Sequence, residues 1–313
     1  MGAGAIGSVV GGFLKKSGQD VTLLGRPAHI EAIRRDGLRI SGIWGEHCIR
    51  DIPVASQTEE LKPPFEIVLI TVKAYDTESA ASQAEPLMAT DSLMVSFQNG
   101  LGNMESIAKV AGAMRTGGAR VIFGAELEDY GSVKVTVYAE PVMIAPFVRS
   151  PQSSEKEKIE WLVQALNGAG VPSAYTDDVT PFLWAKVFYN APLNPLSALL
   201  RSSYGELADN PFTKPLMDQV IFEAFQVAQK KGVALPWKSC KEFLEVFYHK
   251  LIPPTAAHHA SMLRDIERGK RTEIDAINGM VCRYAEELGM KTPVNESLVK
   301  LIKFLESRKK PLR

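Results

Sequence analysis

The first stretch of the chain, MGAGAIGSVVGGFLKKSGQDVTLLGR (1–26), decides the fold of its N-terminal half. Small residues at a fixed spacing allow a tight turn and a close approach of the backbone to a pyrophosphate group. The glycines with the spacing GxGxxG are Gly2, Gly4 and Gly7. Residues 8–16 are predicted to form a helix that Gly18 ends, and VTLL (21–24) to form a strand. Loop, helix and strand in this order indicate a dinucleotide-binding unit.

A strand normally precedes such a glycine motif, but the chain begins one residue before Gly2. Either the start has been assigned late or the central strand of the sheet is truncated. We expect further apolar residues before Met1, about five of them by typical strand length. Restoring them should raise the melting temperature and the affinity for the dinucleotide.

The second strand leads into Gly25 and Arg26, where folds that bind NAD carry an acidic residue for the ribose hydroxyls. An arginine at this place can make bidentate bonds to the 2′-phosphate of NADP. The sequence therefore favours NADP over NAD. The alternative, a solvated surface arginine, stays open at this point.

Two further apolar runs, FEIVLITVK (65–73) and SLMVSFQNG (92–100), finish in polar residues, as buried parallel strands do. Ligands bind outside the carboxyl ends of the strands in such sheets. Lys73 and Asn99 occupy those ends and are candidate binding residues. The alternative is that both residues only form turns.

The rest of the N-terminal half continues the pattern of strands and helices. Residues 119–147 are predicted to form short strands with Gly131 at a turn. Residues 153–170 read as an amphipathic helix ended by glycine, and residues 171–178 as a last strand. The domain boundary is therefore placed near residue 178.

Beyond this boundary, apolar residues recur at spacings of three and four, which indicates helices. The predicted helices are 182–200, 211–231, 236–250, 259–288 and 294–308. The predicted fold class is α/β, with a Rossmann-type NADP-binding domain over 1–178 followed by an all-α domain over 179–313.

Composition excludes several classes of function. The 36 Lys+Arg residues balance 36 Asp+Glu residues, so no global charge favours nucleic acid. Cys48, Cys240 and Cys282 lack CxxC spacing and indicate neither a disulfide framework nor a metal site. No apolar run approaches the roughly 18 residues that span a bilayer, and no signal-peptide pattern is present. A soluble cytoplasmic protein without metal, membrane or nucleic-acid partners is expected.

The stretch WAKVFYNAPLNP (184–195) places a lysine among aromatic and apolar residues. On a helix, Lys186, Asn190 and Asn194 lie four residues apart and form one polar stripe. The stripe either faces water beside an apolar core stripe, as lysines usually do, or lines a site.

A second stretch, SMLRDIERGKRTEIDAINGM (261–280), combines polar and apolar residues in the C-terminal half. Ser261 is predicted to cap a helix through its hydroxyl group. Glu273 and Asp275 lie among apolar residues just before Asn278 and Gly279. These acidic residues belong either to a site or to a charged surface.

Together these segments resemble the ketopantoate reductase (2-dehydropantoate 2-reductase) family over nearly the whole chain. The glycine motif is generic, whereas the two C-terminal segments are specific to the family. The resemblance rests on GAGAIG (2–7), Arg26, TVKAYDT (71–77), SFQNGLGN (96–103), WAKVFYNAPLNPLSAL (184–199) and SMLRDIERGKRTEIDAINGMV (261–281).

The resemblance implies NADPH-dependent reduction of 2-dehydropantoate to (R)-pantoate in pantothenate biosynthesis, with Lys186 as general acid and Glu273 as a second catalytic residue. The implied contacts with NADPH/NADP⁺ are Gly2, Gly4, Ala5, Ile6, Gly7, Arg26, Lys73, Asn99, Ala125 and Glu273. The implied contacts with substrate are Asn99, Lys186, Asn190, Asn194 and Ser261. The implied partner is a small-molecule 2-keto acid, and a homodimer is one assembly open to the chain.

Two departures from the family pattern keep alternatives open. Tyr204 stands where many members carry asparagine before Gly-Glu-Leu, and residues 138–140 replace a His-Thr-Gly-like turn. The first departure bears on the substrate, so reduction of another 2-keto acid by an NADP-dependent enzyme is one alternative. A non-catalytic NADP-binding regulator is another, although a regulator needs neither Lys186 nor Glu273.

Overall fold

The computed structural model describes residues 1–149 and 153–308, which divide into two compact units. The first unit contains Met1–Asn99 and the described residues from Asn103 to Val179. The second contains Gly100–Gly102 and the described chain from Thr180 onward. Residues 309–313 of the predicted second domain lie outside the described range. The fold prediction is confirmed, because the described strands lie in the first unit and helices make up the second.

The first unit alternates helices and strands along the chain. Its helices are α1 (Ala5–Lys16), α2 (Pro27–Asp36), α3 (Thr77–Ala84), α4 (Asn103–Ala111) and α5 (Ser153–Gly168). Its strands are β1 (Leu23–Leu24), β2 (Leu38–Gly42), β3 (His47–Ile49), β4 (Val54–Ala55), β5 (Phe65–Ile70), β6 (Met88–Ser96), β7 (Thr116–Arg120), β8 (Phe123–Asp129), β9 (Ser132–Tyr138), β10 (Val142–Pro146) and β11 (Ser173–Tyr175).

Three sheets are found among the described residues. The largest has the order β11-β10-β7-β6-β5, with β5, β6 and β7 parallel and β10 antiparallel to β7. A second sheet has the order β3-β2-β9-β8, and β1 pairs with β4 in parallel. Gly131 lies at the β8–β9 turn with φ +78°, as predicted.

The strand β6 shows why the largest sheet is buried on both faces. Leu93 and Val95 pack into one hydrophobic cluster together with α1. Met94, which points to the other face, packs into a second cluster with α3 and α4. A nearly continuous apolar run is the expected sequence of such a strand.

Met1–Ala3 connects the β1–β4 pair to β5. The N–H groups of Gly2 and Ala3 both donate to the carbonyl oxygen of Leu24 at 2.8 Å. On its other side, the nitrogen of Met1 donates to Leu69 O at 3.0 Å, and Thr71 N–H donates to Met1 O at 2.9 Å. The segment therefore runs between β1 and β5 and leads directly into the glycine loop.

The second unit is built from helices. They are α6 (Thr180–Leu200), α7 (Tyr204–Asp209), α8 (Thr213–Lys230), α9 (Cys240–Val246), α10 (Ser261–Glu267), α11 (Asn278–Glu287) and α12 (Pro293–Ser307). Its core contains an aromatic cluster in which the ring centroid of Phe188 lies 5.4 Å from that of Phe225 and 5.3 Å from that of Phe243. Trp184 joins the cluster at 5.9 Å from Phe188.

The prediction of one helix over 259–288 is wrong. The chain leaves the helical conformation after Glu267, and Gly269 adopts φ +64°, a left-handed conformation that glycine tolerates best. Helical structure resumes only at Asn278, after a turn. The predicted helix over 236–250 begins later, at Cys240, because the Ser239 hydroxyl caps it.

The helix α6 continues through Pro195, which lacks the N–H group that would donate to Ala191 O. Asn278 replaces that donor, because its Nδ2 lies 2.9 Å from Ala191 O. The same Nδ2 donates to Asn295 Oδ1 at 3.0 Å, and Asn278 is completely buried. A side chain from α11 thus supplies the donor that α6 itself lacks at Ala191 O.

The buried carboxylate of Glu223 on α8 continues this network. It accepts hydrogen bonds from the backbone N–H groups of Val294 and Asn295, both at 3.0 Å, and from Asn295 Nδ2 at 2.8 Å. These donors lie at the start of α12, where the helix dipole favours negative charge. Buried polar groups therefore link α6, α11, α12 and α8.

Gly100–Gly102 packs within the second unit. The N–H group of Leu101 donates to Ala276 O at 2.8 Å. A Cβ atom on Gly100, whose φ is +86°, would lie 2.5 Å from the same oxygen. Glycine is therefore required at this position by both conformation and space.

None of the helices within residues 1–149 and 153–308 has the length and hydropathy needed to cross a membrane.

Candidate functional site

The glycine loop before α1 is shaped by two glycines that the packing requires. Gly2 has φ +99°, and a Cβ atom there would lie 2.7 Å from Val72 N. A Cβ atom on Gly7 would lie 2.5 Å from both Gly2 O and Thr71 Oγ1. Side chains at these positions would force the helix away from β5, so the loop must be glycine here.

Gly4 is different, because neither its backbone nor its neighbours require glycine. Its φ is −88°, and the nearest atom to a Cβ atom there would be Gly2 O at 3.9 Å. In the described chain no side chain caps α1, and its first turn, which begins with Ala5 and Ile6, holds no acidic residue. The N–H groups of this turn and the helix dipole are suited to an anion. The space and the donors fit the pyrophosphate of a dinucleotide.

Arg26 lies at the N-cap of α2, directly after the strand β1 and the adjoining Gly25. A Cβ atom on Gly25 would lie 2.8 Å from Ala3 Cβ, so the chain passes close to the glycine loop. The Arg26 side chain is exposed. Its backbone oxygen accepts from His29 and Ile30 at 3.1 Å, which fixes the place from which the guanidinium extends.

Lys73 and Asn99 follow two neighbouring parallel strands, β5 and β6. Both residues are half-buried. The carboxyl ends of parallel strands meet at one edge of a sheet, which is where ligands bind in open α/β folds. The structure thus brings these two sequence-predicted residues to the same edge.

A buried polar network, which the sequence reasoning missed, lies under this edge. We call it the edge network, and its members are Thr77, Ser96, Gln98 and Asn103, each at most 6% exposed. Gln98 Nε2 donates to Val72 O at 3.0 Å and to Thr77 Oγ1 at 2.7 Å. Ser96 Oγ donates to Gln98 Oε1 at 3.1 Å. Asn103 Nδ2 donates to Asn99 O at 2.9 Å.

Ala125 is half-buried on β8. The register of β8 against β9 shifts between Gly124 and Ala125, so the strand carries an irregularity there. Such irregularities redirect side chains and are common next to binding sites.

His29 is another buried residue that the sequence reasoning missed. Its Nδ1 accepts a hydrogen bond from Gly131 N–H at 3.0 Å, so the ring proton must lie on Nε2, which is 3.0 Å from Ser8 Oγ. Burial lowers the pKa of His29 below its usual value. A neutral histidine therefore ties α1, α2 and the β8–β9 turn together. Only its place among apolar residues of α2 could have indicated this.

The polar stripe predicted on α6 lies within one regular helix. Lys186 and Asn190 are half-buried, and Asn194 is 7% exposed. Trp184 and Phe188 belong to the aromatic cluster of the core. The stripe is therefore not an open surface, and its three residues share a face of one helix.

Asn194 has a buried partner in Tyr204. The Tyr204 hydroxyl donates to Asn194 Oδ1 at 3.2 Å, and burial raises the pKa of Tyr204, which keeps the hydroxyl protonated as a donor. The ring of Tyr189 meets that of Tyr204 edge to face at 5.9 Å. The residue that departs from the family pattern therefore contacts a residue of the polar stripe.

The prediction that Ser261 caps a helix is wrong. Ala260 is the N-cap of α10, Ser261 is its first residue and is exposed, and no side-chain cap is found at this helix in the described chain. Backbone conformation decides the N-cap, and Ala260 is the last extended residue here.

Glu273 and Asp275 differ in their surroundings. Glu273 is 9% exposed and lies in the turn before α11, where its backbone oxygen accepts from Ala276 N–H at 3.0 Å. Asp275 forms ion pairs with Arg271 at 3.1 Å and Lys303 at 2.7 Å on the surface. Of the two acids, Glu273 is the candidate for chemistry. Among the described residues, no group of three or more His, Cys, Asp or Glu side chains could hold a metal ion.

Both parts of the chain match family models. The model "Ketopantoate reductase PanE/ApbA" matches residues 1–147, and "Ketopantoate reductase PanE/ApbA C terminal" matches residues 178–306. The 2-dehydropantoate 2-reductase of Aquifex aeolicus is 40% identical over 309 residues, which cover 98% of this chain and 96% of that protein.

Solved structures show the same fold. A PanE/ApbA family ketopantoate reductase from Ralstonia eutropha superposes with a TM-score of 0.86 at 31% identity, covering 98% of this chain and 97% of that one. D-Mandelate dehydrogenase with NADH and anilino(oxo)acetate superposes with a TM-score of 0.87 at 24% identity, covering 97% and 96%. The latter likeness concerns the fold alone.

Proposed function

Because the chain belongs to the ketopantoate reductase family, a family of oxidoreductases, we propose that it reduces 2-dehydropantoate to (R)-pantoate with NADPH, in pantothenate biosynthesis. The observation that carries the proposal is the 40% identity to the Aquifex aeolicus 2-dehydropantoate 2-reductase over 98% of the chain. The two family models match residues 1–147 and 178–306, which include the segments that carry the glycine loop and the polar stripe.

The proposed acid is Lys186. NADPH supplies the hydride that adds to the keto carbon of the substrate. Negative charge then develops on the carbonyl oxygen, and the ammonium of Lys186 stabilises this charge and donates a proton to it. Asn190 and Asn194, one and two turns along α6, would hydrogen-bond substrate oxygens without adding charge.

The cofactor residues are assigned to the first unit. The loop of Gly2, Gly4 and Gly7 and the first turn of α1, with Ala5 and Ile6, would hold the pyrophosphate. Arg26 would bind the 2′-phosphate, which makes NADPH the preferred cofactor.

Three further half-buried residues of the first unit complete the cofactor assignment. Lys73, Asn99 and Ala125 would contact the cofactor, and Asn99 would also contact substrate. In the second unit, Ser261 would bind substrate, and Glu273 would either orient Lys186 or bind a hydroxyl group of cofactor or substrate.

The test is the oxidation of NADPH, followed by absorbance, with a panel of 2-keto acids. The panel contains 2-dehydropantoate, 2-ketoisovalerate, pyruvate and phenylglyoxylate. We expect the highest kcat/KM with 2-dehydropantoate. Binding of NADPH without oxidation by any member of the panel would instead support a regulator.

Reduction of another 2-keto acid is the second candidate, and the Tyr204–Asn194 hydrogen bond favours it. With its oxygen engaged, Asn194 offers only its amide protons to a substrate, and Tyr204 adds an aromatic ring beside it. A higher kcat/KM for another member of the panel would establish this candidate. A Tyr204→Asn variant should then shift the preference toward 2-dehydropantoate.

A further inference from the structure

We infer that the edge network sets the positions of Lys73 and Asn99 for the cofactor, with Gln98 and Thr77 as positioning residues. The inference rests on the proposed function, because it takes these two residues to bind NADPH. It concerns groups that would not themselves touch the cofactor.

Gln98 fixes the backbone just before Lys73. Both protons of its Nε2 are used, at 3.0 Å to Val72 O and 2.7 Å to Thr77 Oγ1, and its Oε1 accepts from Ser96 at 3.1 Å. A carboxamide that is 6% exposed and paired in this way has one favourable orientation, since flipping it would oppose like groups. The carbonyl of Val72 is therefore held in one place.

Thr77 connects this side to the Asn99 loop. Its Oγ1 lies 2.8 Å from Ala74 O and 2.9 Å from Asn103 Oδ1, either of which can accept its single proton. Asn103 in turn donates to Asn99 O at 2.9 Å. One buried hydroxyl group thus links the loop after β5 to the loop after β6.

The location of the edge network indicates that it positions Lys73 and Asn99 in addition to stabilising the fold. Residues 72–76 and 98–102 lie beyond the strands β5 and β6. The backbone bonds to neighbouring strand segments end one residue earlier, with Thr71 N–H to Met1 O and Phe97 N–H to Ile70 O, both at 2.9 Å. Side chains that bind a ligand from such loops need support from buried partners to stay within a fraction of an ångström. Ser92 provides a comparison elsewhere on β6: it is 1% exposed, donates to Phe65 O at 2.6 Å and accepts from Ala89 N–H at 2.8 Å.

The first experiment measures the Kd of NADPH by fluorescence titration for Thr77→Val, Thr77→Ser and the control Ser92→Ala. Thr77→Val keeps the shape but removes the hydroxyl, and should raise the Kd about tenfold, the lower end of what loss of a hydrogen-bonded supporting partner costs at metal sites. Thr77→Ser keeps the hydroxyl and should restore most of the affinity. Ser92→Ala should lower the melting temperature without this change in Kd.

The second experiment is a double-mutant cycle of Gln98→Leu with Lys73→Ala. If Gln98 acts through Lys73, replacing Gln98 should raise the Kd of NADPH about tenfold in the unaltered chain. In the Lys73→Ala background, the rise in Kd that Gln98→Leu causes should be smaller by a factor of at least about three. The same fold-loss in both backgrounds would overturn the inference. If Gln98→Leu does not fold, the comparison of Thr77→Val with Thr77→Ser is the test of the inference.

The outcomes separate the inference from the proposed function. If the unaltered chain does not bind NADPH, the proposed function fails, and the inference with it. If it binds NADPH while Thr77→Val binds as tightly as Thr77→Ser, only the inference fails. An equal loss of affinity in Ser92→Ala would also overturn it, because general destabilisation would then explain the effect.

Discussion

At the scale of single residues, Lys186 shows how a helix can hold a charged group in place. It is half-buried on α6, and its neighbours Trp184 and Phe188 anchor that helix in the aromatic cluster. The packing fixes the backbone at Lys186, so only the side-chain torsions would have to be ordered on binding a substrate. Its protonated form is what the proposed reaction requires.

Replacing Lys186 by alanine should lower kcat by about 10²–10⁴, the usual share of general acid catalysis. The Kd of NADPH should change little, since the residues proposed to bind the cofactor belong mainly to the first unit. Steady-state kinetics and cofactor titration measure the two effects separately. Lys230→Ala, at an exposed position on α8, is the control. Turnover near that of the control would remove Lys186 from the mechanism.

Arg26→Ala should reduce the preference for NADPH over NADH. A charge-assisted bond to the 2′-phosphate contributes roughly 1.5–3 kcal/mol, so the unaltered chain should prefer NADPH by at least about tenfold. The variant should bind NADPH more weakly and NADH almost unchanged, and salt should erode the preference of the unaltered chain. Titration with both cofactors measures this, with Arg35→Ala on the same helix as control. An equal loss of affinity for both cofactors in Arg26→Ala would show that Arg26 does not discriminate between them through the 2′-phosphate.

His29 should make stability depend on pH. Burial lowers its pKa in the folded chain, so the unfolded chain takes up a proton more readily. The stabilisation is therefore complete above the unfolded value of about 6.5 and is lost as pH falls through the lowered pKa. Urea unfolding from about pH 8 to about pH 5 should show the stability difference between the unaltered chain and His29→Gln shrinking as pH falls. A difference that is constant with pH would contradict this.

At the scale of elements, α6 depends on a residue far away in the chain. Asn278→Ala should leave Ala191 O and Asn295 Oδ1 without a donor and destabilise the fold by about 2 kcal/mol. Pro195→Ala supplies a backbone N–H for Ala191 O. The cost of Asn278→Ala should therefore be about 1 kcal/mol smaller in a Pro195→Ala background, as measured by denaturant unfolding. Additive effects would show that Asn278 does not replace the missing donor.

The sequence predicted those elements whose signals are local. The helix α1 was expected over residues 8–16 and spans Ala5–Lys16, because its apolar period and terminal glycine lie within the segment itself. The break between α10 and α11 was missed, although residues 268–273 hold no apolar side chain and Gly269 lies among them. The short helix α7 was also missed, although Ser203 and Glu206 form a capping box at its start.

The residues of the candidate site also differ in whether a local sequence signal predicts them. Lys73 and Asn99 follow from the rule that ligands bind at strand ends. The edge network does not, because Gln98 and Thr77 are separated by 21 residues and their pairing depends on how two strands are aligned. His29 and Gly131, separated by 102 residues, are a more distant case. Periodicity places residues on faces, but it does not say which buried polar groups meet.

At the scale of the whole molecule, the confirmed fold places the glycine loop and the polar stripe in different units of one chain. The first unit carries the groups that suit an anion, and the second carries the candidate acid. A chain divided in this way can change residues of the helical unit, such as Tyr204, without altering the glycine loop.

Gly100–Gly102 has a consequence for how such chains could be recombined. The three residues lie between Asn99 and Asn103, which both belong to the first unit. They themselves belong to the second unit, where Leu101 N–H donates to Ala276 O. A chimera with a single crossover near residue 179 would therefore take residues 100–102 from one parent and the turn that contains Ala276 from the other. A chimera that also takes residues 100–102 from the donor of the helical part keeps both partners from one parent. Inheritance of this short loop, more than the position of the junction, would decide which chimeras fold.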